Sequence, residues 1–424
     1  MNDEKLCDDL ARLIALDTCF PPAASYGAFC DLVEDLAAEF DPSCERIDVP
    51  EPLWRSPEVH GARTNLVMRP NIGPADAPEA MIYFHSDTAP VGDGWTRPPL
   101  TLTREGARLF GRGTADMKGC IAAVLAALRA LKAQGTELAF RPVLAFCTDE
   151  EGGLYPGIRY LAETQDLPEV LLNLNGGAVP RNWGGCLGSM DIAISGIGRA
   201  SHSGRPDQGI NALQEMLPVM AALVALKPQI EARITSMSPP PGAPPLCARL
   251  NITACNAGDK GSAIPGLCRV IINRRYLPEE TSDDVFAEIR TAAEMALRDT
   301  LLPDWSIQLA GHLPPVSDPT GPWTTRWAAA RARATHRPLS DYTTYGSGTS
   351  SDFGWVQKAG ITHMLLGGLM RSEANVHGPD EFTTITDLAE LAHAVALFLS
   401  ADFSSNPTDL GQQGTIQSNP ETSK

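Results

Sequence analysis

Apolar positions along the chain alternate between two rhythms. Residues 4–18 place Leu6, Leu10, Leu13 and Ile14 at helical spacing, and residues 27–40 repeat the pattern. MIYFHSD (81–87) instead reads as a buried strand running into a polar end. A turn-rich stretch with Gly92, Gly94, Pro98 and Pro99 follows. The Ala/Leu-rich run 118–134 predicts a helix. RPVLAFCTDEEGG (141–153) is again an apolar strand ending in acids. Strands alternating with helices predict an α/β domain with a mixed, largely parallel sheet flanked by helices. In such sheets ligands sit beyond the carboxyl ends of the strands, where both acidic clusters stand.

The middle of the chain changes style. Residues 188–204 carry short β-like runs, 210–226 predicts a helix, and SPPPGAPP (238–245) a loop. CRVIINRRYLP (268–278) reads as a strand and 280–299 as a helix. This predicts a small α+β domain over 189–305, inserted in a catalytic domain formed by 1–188 and 306–403. GITHMLLGG (360–368) resumes the strand style, and 386–400 is helical. Residues 404–424 hold almost no large apolar side chains, which predicts a disordered tail.

Charge narrows the partners. The 424 residues carry 34 Lys+Arg against 51 Asp+Glu, a net −17. That balance argues against nucleic acid, whose binders need a basic face, and against an anionic membrane surface. No apolar run reaches the ~18 residues of a membrane span, and the first ten residues are charged, so a cytoplasmic location is expected. The ten cysteines contain no C-x-x-C pair, which leaves buried, reduced thiols as the expectation.

Five clusters carry candidate chemistry. His85 and Asp87 lie two apart on a strand and so face one side. Asp116 stands among glycines in GRGTADMKG, where a helix cap is the plain alternative. Asp149, Glu150 and Glu151 are adjacent acids whose repulsion a solvated loop would tolerate and a divalent cation would reward. His377 precedes Gly-Pro, and His202 sits between serines in the inserted region. Two histidines with several carboxylates at strand ends are a donor set for borderline divalent metals, usually zinc. An acid not used as a ligand is then free to act as general base.

These segments resemble the co-catalytic zinc family of acetylornithine deacetylases, succinyl-diaminopimelate desuccinylases, aminoacylases and related carboxypeptidases. HSDTAPVGDGWTRPPLTL, LFGRGTADMKG, DEEGG, ASHSGRPDQGIN, GDKGSAIPG with INRRYLPEE, GTSSDF and ANVHGPDEF carry the likeness, across about residues 5–400. The resemblance implies a zinc-exopeptidase-like core and an amidohydrolase acting on N-acyl amino acids. It implies that His85 and His377 ligate separate metals, that Asp116 bridges them, and that Glu151 joins His377. Glu150 would be the general base, and Asp87 would orient His85. The lid domain would form a homodimer in which His202 reaches the partner's site as an oxyanion donor. Arg275 would bind substrate carboxylate, and Gly348 and Thr349 would line the pocket. A cis peptide after Asp116 is also implied. Two zinc ions are expected, with cobalt or manganese as substitutes.

One position departs from the family. Where it supplies an acidic ligand for the metal held by His85, LLNLNGGAVP places Asn175. A neutral amide is the weaker donor, so a weakened first site is expected; the alternative is a turn residue before Gly176. The competing functional readings are a dipeptidase or carboxypeptidase with the same chemistry, and a metal-degenerate binding protein.

Overall fold

The computed structural model describes residues 3–55, 59–152 and 154–403. The expected tail, 404–424, lies outside them. The chain begins with α1 (Asp3–Ala15) and α2 (Tyr26–Leu36). It then lays down β1 (Ser43–Val49), β2 (Arg63–Arg69) and β3 (Glu79–His85). Helix α3 (Lys118–Gln134) leads to β4 (Arg141–Cys147), and α4 (Pro156–Thr164) to β5 (Val170–Asn173). A second sheet follows: β6 (Gly188–Ile197), β7 (Arg249–Asn256), β8 (Leu267–Tyr276) and β9 (Asp304–Leu313). Between its strands lie α5 (Ala212–Glu231) and α6 (Ser282–Leu297). The chain returns through α7 (Thr324–Ala334) and α8 (Phe353–Lys358) to β10 (Met364–Leu366) and α9 (Ile385–Leu399).

The first sheet runs β1-β2-β4-β3-β5-β10. Strands β4, β3, β5 and β10 pair parallel, while β2 is antiparallel to both neighbours. Both faces are covered, so the alternation of side chains feeds two cores. Leu66, Met68, Ile82, Phe84, Leu144 and Phe146 pack on one face with α1, α3 and α9. Val67, Met81, Tyr83, Val143 and Ala145 pack on the other with Ile158, Leu161 and Phe353. This is the expected mixed, largely parallel architecture.

The second sheet, β7-β8-β6-β9, is antiparallel and has its own core beneath α5 and α6. Its first and last strands are neighbours, with Leu313 opposite Ser189. The sequence boundary at 305 falls inside β9. Helix α5 also runs past the expected end at 226, through Pro218 and Pro228. Both prolines are on the exposed face, where the carbonyls they leave unpaired meet water. Among the described residues, no helix is long and apolar enough to cross a membrane.

Candidate metal centre

The candidate residues gather where the parallel strands end. His85 closes β3, Glu150 and Glu151 follow β4, Asn175 follows β5, and His377 lies in the loop after β10. Asp116 stands just before α3, and its peptide to Met117 is cis.

Asp116 joins the two histidines. Its Oδ1 is 2.9 Å from His85 Nε2, and its Oδ2 is 3.1 Å from His377 Nε2. Glu151 Oε2 lies 3.0 Å from His377 Nε2, while Glu151 Oε1 accepts the Ala89 N–H at 3.0 Å. Donor atoms of His85, Asp116 and Glu151 all lie within 4.8 Å of one another. A tetrahedral zinc with bonds of about 2.0–2.1 Å puts its ligand atoms about 3.3 Å apart. His377 Nε2 already sits near that spacing from both Asp116 and Glu151.

The electrostatics fit a missing positive charge. Burial works against a charged His85, yet hydrogen bonds to Asp116 and Asp87 raise its pKa well above the usual range. Asp116 and then Glu151 push His377 up to about 10. Burial opposes ionisation of Asp116, but the two imidazoles hold its carboxyl below the ordinary range. The carboxylates thus favour the charged form of each imidazole. Burial raises Glu150 well above a normal carboxylate, and it raises Glu151 with help from Asp116.

Asn175 enters the site through both ends of its amide. Nδ2 donates to Glu150 Oε1 at 2.8 Å. Oδ1 is buried with no protein partner. Such an orphan acceptor is costly unless something outside the chain satisfies it. A divalent cation is one group that would meet that need, and together with His85, Asp116, Glu151 and His377 the amide completes a donor set suited to two cations.

Asp87 meets His85 through both its main chain and its side chain. His85 Nδ1 bonds its main-chain carbonyl at 3.0 Å, and its carboxylate is farther, at 3.6 Å. That carboxylate also accepts the N–H of Glu150 at 3.2 Å and of Glu151 at 2.9 Å. It therefore fixes the backbone carrying both acids.

Two buried charge networks were not foreseen. Asp149 has a left-handed φ of 50°. Arg63 Nε donates to its Oδ2 at 2.9 Å, and the Tyr26 hydroxyl to its Oδ1 at 2.5 Å. Glu381 accepts Arg112 Nη1 at 2.6 Å and the N–H groups of Gly113, Ala115 and Asp116 at 3.0, 2.9 and 3.1 Å. Arg112 Nη2 also donates to the His377 carbonyl at 3.1 Å. This pair ties the Asp116 turn to the His377 loop. Arg112, Glu381 and Asp149 stand inside the quoted motifs, whereas Arg63 and Tyr26 stand in none. A third buried acid, Asp352, accepts from the Tyr83 hydroxyl, and burial pushes it up to about 6.

The remaining candidates stand farther out. Arg275 donates to Ser350 Oγ, linking β8 to the loop before α8. Arg274 is fully buried and pairs with Glu280 at 2.6 Å, so it is not available to an anionic substrate. Gly348 and Thr349 are exposed, and Thr349 Oγ1 bonds Ser347 Oγ at 2.7 Å. His202 is exposed on the second sheet's side, its Nδ1 accepting the Gly204 N–H at 3.0 Å. None of the cluster's hydrogen bonds given above reaches it.

A model of peptidase family M20/M25/M40 matches residues 81–401, which include every residue of this cluster. The chain belongs to that family. Acetylornithine deacetylase of Klebsiella pneumoniae (strain 342), a curated relative, is 32% identical over 208 residues. That alignment covers 48% of this chain and 52% of the relative, so the chain spans about half the length of the curated relative it matches. The dipeptidase Dug1p of Saccharomyces cerevisiae shares the M20 fold at a TM-score of 0.77 and 17% identity, covering 93% of this chain and 95% of its own. The M20 metallo-carboxypeptidase Sso-CP2 of Sulfolobus solfataricus gives 0.71 at 17% identity, covering 92% and 97%.

Proposed function

We propose that this M20 protein is a metal-dependent amidohydrolase that removes an acyl group, such as acetyl or succinyl, from an N-acyl amino acid. The observation that carries the reading is Asp116, which shares one carboxylate between His85 and His377, with Glu150 one residue from Glu151. The similarity to an acetylornithine deacetylase supports the substrate class.

His377, Glu151 and Asp116 would hold one cation, and His85, Asp116 and Asn175 the other. Divalent ions there, zinc by the donor set with cobalt or manganese as substitutes, would lower the pKa of water and polarise the amide carbonyl. Glu150 takes a proton from water and returns it to the leaving amine. Its buried carboxyl, with a raised pKa, suits both halves of that transfer. Asn175 Nδ2 steadies the carboxylate. Arg275 pairs with the substrate's carboxylate, and Gly348 and Thr349 line its pocket. His202 donates to the carbonyl oxygen across a homodimer. The exposed Leu217 and Val224, seven apart on α5, support association through the lid.

The test is a panel of N-acetyl, N-succinyl, N-formyl and N-carbamoyl amino acids together with dipeptides. Hydrolysis of an N-acyl substrate that is lost in Glu150→Ala is the expected result. Unchanged hydrolysis in that variant would overturn the mechanism. Turnover of dipeptides alone would favour the peptidase reading, which the fold shared with Dug1p supports. No turnover of either set would favour a binding protein. Full activity in a monomer would remove His202 from the reaction.

A further inference from the structure

Two thiols in the second sheet form a site that the hydrolytic chemistry leaves unused. Cys255 stands near the end of β7 and Cys268 near the start of β8. The strands are antiparallel, with Cys255 opposite Val270 and Asn256 opposite Arg269. Cys255 is therefore diagonal to Cys268 on one face, two positions out of direct register. The irregularity between Ile252 and Ala254 sets this phase, which turns Cys255 toward the same side as Val270. Their Sγ atoms are 4.0 Å apart. Cys268 is fully buried in the second core, whereas Cys255 is exposed. The expectation of buried thiols thus fails at Cys255, and it fails beside a second thiol.

A disulfide needs its sulfurs about 2.05 Å apart. Side-chain rotation brings the sulfurs together, and for a diagonal pair the two strand ends must also draw in slightly. We propose that Cys255 and Cys268 are a modification site that takes a low-molecular-weight disulfide, such as glutathione disulfide, and closes to a cross-strand cystine. The Cys255 thiolate attacks one glutathione sulfur and expels the first glutathione thiolate. The Cys268 thiolate then attacks Cys255 Sγ and expels the second. Two protein thiols are oxidised, one glutathione disulfide is reduced to two glutathione thiols, and the two thiol protons pass to the departing thiolates. Exposure decides the order, because only Cys255 can meet the reagent. Burial pushes the Cys268 thiol up to about 12, in keeping with its acting second.

The cystine would close the segment 256–267 into a loop. Within that segment Ala263 and Ile264 pair with His202 and Ser201. Oxidation therefore fastens the stretch against which His202 is registered.

The experiment uses the full chain carrying Cys44→Ser, which removes another exposed thiol. It is incubated with glutathione disulfide and followed by intact mass, peptide mapping and hydrogen exchange. The expected result is loss of two thiols and two hydrogens, a linked Cys255–Cys268 peptide, and slower exchange over 256–267. Dithiothreitol should reverse all three. Adding Cys268→Ser should trap glutathione on Cys255, and adding Cys255→Ser should leave Cys268 reduced. A stable glutathione adduct on Cys255 beside a free Cys268 would overturn the proposal. So would a pair that stays reduced, or a linked peptide with no change in exchange.

Discussion

Glu381→Gln tests how the Asp116 turn is held. The carboxylate is fully buried and receives four donors: Arg112 Nη1 and Gly113 N on Oε2, Ala115 N and Asp116 N on Oε1. An amide has one acceptor end, so two of the four donors must face an NH2 group. If the NH2 takes the Oε1 place, two backbone N–H groups are orphaned at about 1–3 kcal/mol each. If it takes the Oε2 place, Arg112 Nη1 and the Gly113 N–H lose their acceptor; in both orientations the amide is neutral, and the buried Arg112 loses its charge partner at about 3–5 kcal/mol. Either way the variant should lose at least about 3 kcal/mol, a large part of a typical stability of about 5–15 kcal/mol. Urea unfolding followed by tryptophan fluorescence measures the loss, with the slope compared between variants. Because the same carboxylate positions the Asp116 backbone, zinc affinity should fall about 10–100-fold. Arg112→Met with Glu381→Gln should cost less than the sum of the single changes, since they share one interaction. A variant within about 0.5 kcal/mol of wild type, with the same slope and zinc affinity, would refute this account.

Three further outcomes follow from the same geometry. Purified wild-type protein should hold one cation firmly and exchange the second, because Asn175 offers a neutral donor; metal analysis finding two firmly held zincs would contradict this. Asn175→Asp should tighten the second cation in the same assay while removing the Nδ2 bond to Glu150. His312 gives a pH effect remote from the site: its Nε2 bonds the Tyr276 hydroxyl at 2.7 Å, and burial, with Lys358 and Arg159 nearby, lowers its pKa to about 4. The unfolded imidazole titrates near 6.5, so the unfolded chain binds the extra proton between these values. The stability from His312 is present above pH ~6.5 and lost as pH falls toward 4, by about 1–2 kcal/mol once its partial exposure is discounted. Unfolding midpoints of His312→Gln should lack that component, and an identical pH profile would show that His312 does not supply it.

The sheet was legible because strand and helix periods are written locally. MIYFH and RPVLAFC read directly as strands, and the acids after them marked the carboxyl ends. His85, Asp116, Glu151 and His377 were legible because their chemistry is rare in apolar surroundings. The supports were not. Glu381 and Arg112 carried no role in the sequence, and only folding shows that each is buried against the other. Arg63 and Tyr26 lie far in sequence from the Asp149 they hold. Asp87 was placed beside His85 by the two-residue period of the strand, but which of its oxygens meets the imidazole was not readable. Arg274 and Arg275 were separable in principle: neighbours on a strand face opposite ways, and one side of β8 is core.

The shared carboxylate at Asp116 and the imidazole at His377 are 261 positions apart in the chain. During synthesis the first half of the centre therefore exists well before its last histidine, with the whole second sheet made in between. An early cation would meet carboxylates and one imidazole on an incomplete sheet, and such partial chelates release their ions readily. Firm retention would begin only when the loop after β10 docks through Arg112, late in assembly and across a closure of 265 positions. Capture of a cation at this site would then double as a checkpoint on completed folding.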